Sequence, residues 1–192
     1  MVARPRGRTF DELYAVIRDL PEGQRGEILV EGNVHITMGR PGRKHRRAAQ
    51  ALYAGLLARD ANVGGSGWWI EVEPEVRFGD RLFDPDLAGW RVDRVPELPD
   101  ENPITVIPDW CCEVLSPTTG ASDVGIKLPG YLGAGVPIVW LVDPALRLVQ
   151  VYVQENGKPA LAATASGETT SRLPPFDLDF DPRRLWVTPT TP

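Results

Sequence analysis

Glu113 stands in CCEVLSPTT, residues 111–119, where small and branched apolar residues otherwise read as a strand bound for the core. A carboxylate placed there needs a partner, because an unpaired buried charge is costly unless its pKa moves to neutralise it. Two more carboxylates lie upstream in LFDPDLAGW. Read as a strand, this stretch puts Asp84 and Asp86 on one face, since strand side chains repeat every two residues. Acidic side chains gathered from neighbouring strands repel one another unless a divalent cation or a cationic side chain lies between them. Lys127 is a candidate for the second role and is one of only three lysines in the chain. Asp123, Lys127 and Tyr131 recur every four residues, so a helix would line them along one side, although Pro129 and Gly130 make that helix irregular. The bland alternative is a surface pair between Asp123 and Lys127.

A second cluster is basic. RPGRKHRR, residues 40–47, carries five formal positive charges in a chain whose net charge is −5. It reads either as a solvated surface or as a phosphate-contacting patch. His45 within it can meet a phosphate or cap a helix. Trp68, Trp69 and Trp90 can stack on bases, yet tryptophans in strands belong more often to the core.

The elements that must position these residues follow from pattern. Thr9 and Glu12 have capping-box spacing ahead of Leu13, Val16, Ile17 and Leu20, which predicts a short helix ended by Pro21. EILVEGNVHIT predicts a hairpin turning at Glu31-Gly32-Asn33. A helix is expected from about Arg46 to Arg59, burying Ala49, Leu52, Tyr53, Leu56 and Leu57 and stopped by Gly64, Gly65 and Gly67. WWIEVEPEVRF predicts an edge or bulged strand because of Pro74, and Arg81 to Trp90 the next one. RVPELPDENPITVIP reads as an exposed connection before the core strand DWCCEVL. A helical segment then runs from Ser116–Thr119 to Gly135, followed by the strand IVWLVDP and its antiparallel partner LRLVQVYVQ. A last short strand and helical turn pack Phe176, Phe180 and Trp186. This order predicts an α/β (α+β) fold, a mixed sheet flanked by helices in a single domain.

Composition excludes several classes. With 192 residues, 42% hydrophobic and 24% charged, the chain can bury a core and is neither disordered nor fibrous. No apolar run has membrane-spanning length and no signal peptide is legible, so a cytoplasmic location is expected. Cys111 and Cys112 are adjacent, which strains a disulfide between them, and free thiols are expected. Two cysteines and two histidines leave no structural zinc site.

Pro85-Asp86, then EVLSPTT (Glu113 to Thr119), then Asp123, Lys127 and Tyr131, then GVPIVWLVDP (Gly135 to Pro144) resemble the bacterial restriction endonuclease family often called Uma-two, within the PD-(D/E)XK nuclease superfamily. The resemblance covers most of the chain. It implies a restriction-endonuclease-like core over about residues 40–155, preceded by the short helix and hairpin. It also implies magnesium, with manganese as substitute, held by Asp86, Glu113 and the backbone carbonyl of Val114, and hydrolysis of phosphodiester bonds in DNA by water. The superfamily pattern puts lysine two positions after Glu113, where this chain has Leu115. The resemblance implies that Lys127 fills that role from the following helix. The resemblance matches Glu27 to an acidic residue that family members carry before the first hairpin, and makes Asp84 a carboxylate behind the ligands or at the rim, since the motif position is Asp86. Arg43, Lys44, His45, Arg46 and Arg47 are the expected nucleic-acid contacts, and a homodimer would let two sites address two strands. Two other readings stay open: a catalytically inactive nucleic-acid-binding or assembly module with the same fold, and a purely structural Glu113–Lys127 pair.

Overall fold

A computed structural model describes residues 7–38, 41–166, 171–176 and 179–186. Helix α1 (Phe10–Arg18) carries the capping box, with Thr9 accepting from the Glu12 backbone and the Glu12 side chain accepting from Thr9 N–H. It buries Phe10, Leu13 and Ile17 against the hairpin of β1 (Gln24–Val30) and β2 (Asn33–Met38), which turns through Gly32 at φ 83°. Helix α2 (Arg43–Leu56) starts three residues earlier than its apolar spacing predicts, and a 3-10 turn extends it to Arg59.

The stretches WWIEVEPEVRF and Arg81 to Trp90 are not two continuous strands. They form one ribbon that breaks midway: β3 (Trp68–Val72) and β6 (Leu87–Arg91) pair in one sheet, β4 (Val76–Phe78) and β5 (Arg81–Phe83) in another. Register is kept across the break, with Val72 opposite Leu87 and Val76 opposite Phe83, so Pro74 marks no bulge. β3 and β4 do lie at the edges of their sheets, where a proline costs no ladder bond.

The first sheet has the order β2-β1-β5-β4 and is antiparallel throughout. The second adds β7 (Trp110–Val114), β8 (Ile138–Asp143), β9 (Leu148–Glu155) and β10 (Lys158–Ser166), in the order β10-β9-β8-β7-β6-β3. Only β7 and β8 run parallel, which requires a crossover. That crossover is the helical segment of α3 (Gly120–Ser122), a π-helical turn (Asp123–Lys127) and α4 (Leu128–Gly133). β10 lacks a sequence signal, because KPALAATAS is small and mostly exposed; pairing with β9 makes it a strand.

β7 is buried along its whole length and decides which side each neighbour serves. Trp110, Cys112 and Val114 join the core under α2, with Trp140, Phe176, Phe180 and Trp186. Cys111 joins the opposite core with Phe83, Trp90, Leu128, Tyr131 and Leu141. Glu113, two positions from Cys111, shares that second face. Phe176 and Phe180 belong to the tail, where β11 (Ser171–Arg172) pairs with β12 (Asp179–Phe180). The connection RVPELPDENPITVIP is not wholly exposed: Val95 and Ile104 are buried, and Ile104 bridges Val76. Both cysteines are buried free thiols. No helix among the described residues is long and apolar enough to cross a membrane.

Candidate active site

The break in the ribbon opens the space where the charged side chains meet. Asp84 and Asp86 lie in the gap between β5 and β6, not on a strand face as their spacing predicts. Val114 N–H donates to Asp86 Oδ2 at 2.7 Å, so the carboxylate is anchored to the end of β7, next to Glu113. His45 Nε2 lies 3.1 Å from both Asp86 oxygens. His45 thus turns inward from α2; it neither caps the helix, whose N-cap is Gly42, nor points to solvent. Burial works to lower its pKa, and the hydrogen bond and charge of Asp86 outweigh that and raise it.

Lys127 is the hub. Its side chain is 7% exposed, and Nζ lies 2.8 Å from Glu27 Oε1, 3.3 Å from Glu113 Oε1 and 3.7 Å from Asp123 Oδ1. The π-helical turn delivers it: Asp123 and Lys127 are the ends of that turn and both are buried. Such turns are rare and cluster at functional sites. Tyr131, one turn on, donates its hydroxyl to Glu113 Oε1 at 2.5 Å. The surface-pair reading of Asp123 and Lys127 is therefore wrong, because both residues are inside and Lys127 also pairs with two further carboxylates.

Glu27 comes from β1 in the other sheet. Besides Lys127, its Oε1 accepts the Asp84 backbone N–H at 2.9 Å, so one oxygen ties both sheets to the helical crossover. Like Glu113, Glu27 is a carboxylate in a β-rich apolar run, and it too is buried and paired with Lys127.

The electrostatics are unbalanced. Glu27, Asp84, Asp86, Glu113 and Asp123 gather around one ammonium and one imidazole. Burial pushes the Glu113 carboxyl up, and Lys127 pulls it part of the way back. Burial, then the charges of Glu27 and Glu75, raise Asp84 to about 8. Burial raises Asp123 to about 6. Burial also opposes the charge of Lys127, but Glu113, Glu27 and Asp123 together hold its pKa above the ordinary lysine range. Asp84 Oδ1 and Asp123 Oδ1 are buried without a hydrogen-bond partner.

The basic run divides by side. Arg43, Lys44, Arg46 and Arg47 are exposed on the first turns of α2, while His45 alone faces the cleft; Arg40 lies outside the described residues. Trp68 and Trp90 are buried. The Trp69 and Trp90 indoles donate to the carbonyls of Val95 and Val106, so these rings are structural.

Residues 9–183 match the family Uma2, described as "Putative restriction endonuclease". The chain belongs to the Uma2 family. A crystal structure from Anabaena variabilis ATCC 29413, described as a putative nuclease belonging to DUF820, superposes with a TM-score of 0.70 at 23% identity. The match covers 93% of this chain and 97% of that one, which establishes the shared fold. No curated protein matches the chain significantly. Membership accords with the ordered series from Pro85-Asp86 through Glu113 to Lys127, whose members now stand around one cleft.

Proposed function

We propose that this Uma2 chain is a magnesium-dependent endonuclease that hydrolyses phosphodiester bonds in DNA. The observation that carries the reading is the buried Lys127, brought from the crossover helix to Glu113 and Glu27 beside Asp86. It supplies from another element the cation that superfamily members place on the strand.

The donor set fits a hard divalent ion. Asp86 and Glu113 offer oxygen only, Asp84 keeps a buried oxygen without a hydrogen-bond partner, and the cluster sets five carboxyl groups against one ammonium and one imidazole. Among the described residues no three His, Cys, Asp or Glu side chains group as a metal site. The ligands that the family resemblance implies, Asp86, Glu113 and the Val114 carbonyl, would hold the ion, which would keep water on its other positions, as magnesium prefers and manganese tolerates. Bound there, it offsets charge on the phosphate and makes water more acidic.

The rest of the chemistry belongs to the chain. Lys127 keeps its proton and acts as a fixed positive charge towards a phosphoryl oxygen or the attacking water, not as a base. Glu27 fixes the position of its ammonium, Tyr131 fixes Glu113, and Val114 N–H with His45 fixes Asp86. Arg43, Lys44, Arg46 and Arg47 receive the phosphate backbone. A basic first turn opposes the helix dipole, with no acidic residue there to offset it, and an anion would relieve both.

The test is calorimetric titration of magnesium and manganese into wild type and Asp86→Asn, beside nicking of supercoiled plasmid. Metal binding lost in Asp86→Asn, with nicking lost in both Asp86→Asn and Glu113→Gln, is the expected result. Binding of DNA without nicking in any divalent metal would favour the inactive nucleic-acid-binding module. The three ion pairs of Lys127 favour one further reading, a structural charge cluster, which a Tm indifferent to metal would support.

A further inference from the structure

Lys127 is buried and engaged by three carboxylates, so its charge serves the reacting group alone and leaves the neighbouring phosphates of a polyanion unmet. A phosphate approaching this cleft needs an exposed cation nearer solvent. Arg25 is placed for that. It lies two positions before Glu27 on β1, so both side chains leave the strand on the same face. Its guanidinium is about half exposed, and its charge reaches Asp84 and Asp86.

Among the described residues Arg25 is held by Glu73, to which its Nη2 donates. Glu73 sits in the break of the ribbon, and its N–H donates to the Asp86 carbonyl at 3.1 Å. Its φ is 52°, a left-handed conformation that glutamate rarely adopts and that is disfavoured just before a proline, here Pro74. Strained backbone of this kind persists where the surroundings hold it, commonly at functional sites. The strained residue presents its carboxylate to the part-exposed Arg25, beside the buried charge cluster.

Resting on the nuclease reading above, we infer that Arg25 contacts a backbone phosphate of the bound nucleic acid, and that Glu73 occupies its guanidinium until the phosphate displaces it. The chemistry suits the exchange. Guanidinium binds carboxylate and phosphate through the same planar fork, and the partly exposed pair with Glu73 is screened and easily replaced. A carboxylate that competes with substrate also disfavours occupancy of Arg25 by weaker anions.

The two partners then have opposite effects, which a structural ion pair would not give. Affinity for a fluorescently labelled DNA duplex is measured by anisotropy without divalent metal, from about 50 to 200 mM salt. Arg25→Ala should weaken binding about tenfold at the low end and reduce the slope of log K against log salt by about one. Arg25→Lys should recover the slope but not all of the affinity, and Glu73→Gln should bind a few-fold tighter than wild type. Unchanged affinity and slope in Arg25→Ala would overturn the inference, as would weakening by Glu73→Gln of the same size as by Arg25→Ala. If wild type binds the duplex and only these variants disappoint, the nuclease reading stands; if wild type does not bind, both fall.

Discussion

Replacing Lys127 by Met removes the ammonium while keeping most of its aliphatic stem, and the structure fixes what should follow. Glu27, Glu113 and Asp123 lose a partner at 2.8, 3.3 and 3.7 Å, all inside the protein. Breaking a buried pair from one side costs about 3–5 kcal/mol. For a chain of this size that is a fall in Tm of roughly 6–20 °C. The loss must depend on pH, because stranded carboxylates can take protons. Lys127 lowers the pKa of Glu113, Asp84 and Asp123, so its removal lets their folded pKa values rise further above the unfolded values. A raised carboxyl contributes stability below the unfolded pKa and loses it as pH rises through the folded pKa. The deficit of Lys127→Met is therefore small near pH 5 and largest near pH 8, growing by up to about 1.4 kcal/mol per pH unit for each proton involved. Urea unfolding of both proteins at the two pH values, with chelator present, measures it. A deficit under about 1 kcal/mol at pH 8 that is equal at pH 5 would refute Lys127 as the counter-charge of this cluster.

The same linkage acts in the wild type through Asp84, whose folded carboxyl lies at about 8. Without metal, stability should fall as pH rises from about 4 to 8, and Asp84→Asn, a neutral mimic of the protonated form, should flatten the curve; parallel curves for the two proteins would exclude it. Gly130→Ala tests the wall of the cleft. A Cβ there would stand 2.7 Å from Phe83 Cε2, and Phe83 is fully buried against Phe78 and Tyr131. Overpacking should cost about 1–3 kcal/mol, against the roughly 1 kcal/mol of helix propensity alanine returns, so a clear gain in urea midpoint would refute the packing.

Much of this cleft was legible in the residues, and its gaps have physical causes. Glu113 announces itself as a carboxylate in a run that otherwise buries apolar side chains, and only a partner makes it tolerable there, whereas Glu27 is legible through the family resemblance. Lys127 is legible by its spacing from Asp123 and Tyr131. Its reach is not, because the four-residue spacing holds through a π turn that the sequence does not mark. The position of His45 depends on how α2 lies over the sheet, a tertiary fact with no local signal.

The ribbon is the more instructive failure. In WWIEVEPEVRF and LFDPDLAGW the acidic and apolar residues alternate as in unbroken strands, and the paired register does run unbroken from Trp68 opposite Arg91 to Phe78 opposite Arg81. Alternation reports register and says nothing about which sheet each half joins. The prolines do: Pro74 and Pro85 remove donors at nearly the same level of the ribbon and constrain the residue before each. There the ladder opens, the outer half joins β1, and the inner half joins β7. The opened backbone is then bridged by Glu73 N–H to the Asp86 carbonyl and by Glu27 to the Asp84 N–H. A strand kept in either sheet would send Asp84 and Asp86 to a regular face. Only the gap between sheets lets side chains from β1, β7, α2 and the crossover converge, so the proline before Asp86 marks the place where its carboxylate leaves the strand to meet Val114 N–H and His45, next to the Glu113–Lys127 pair.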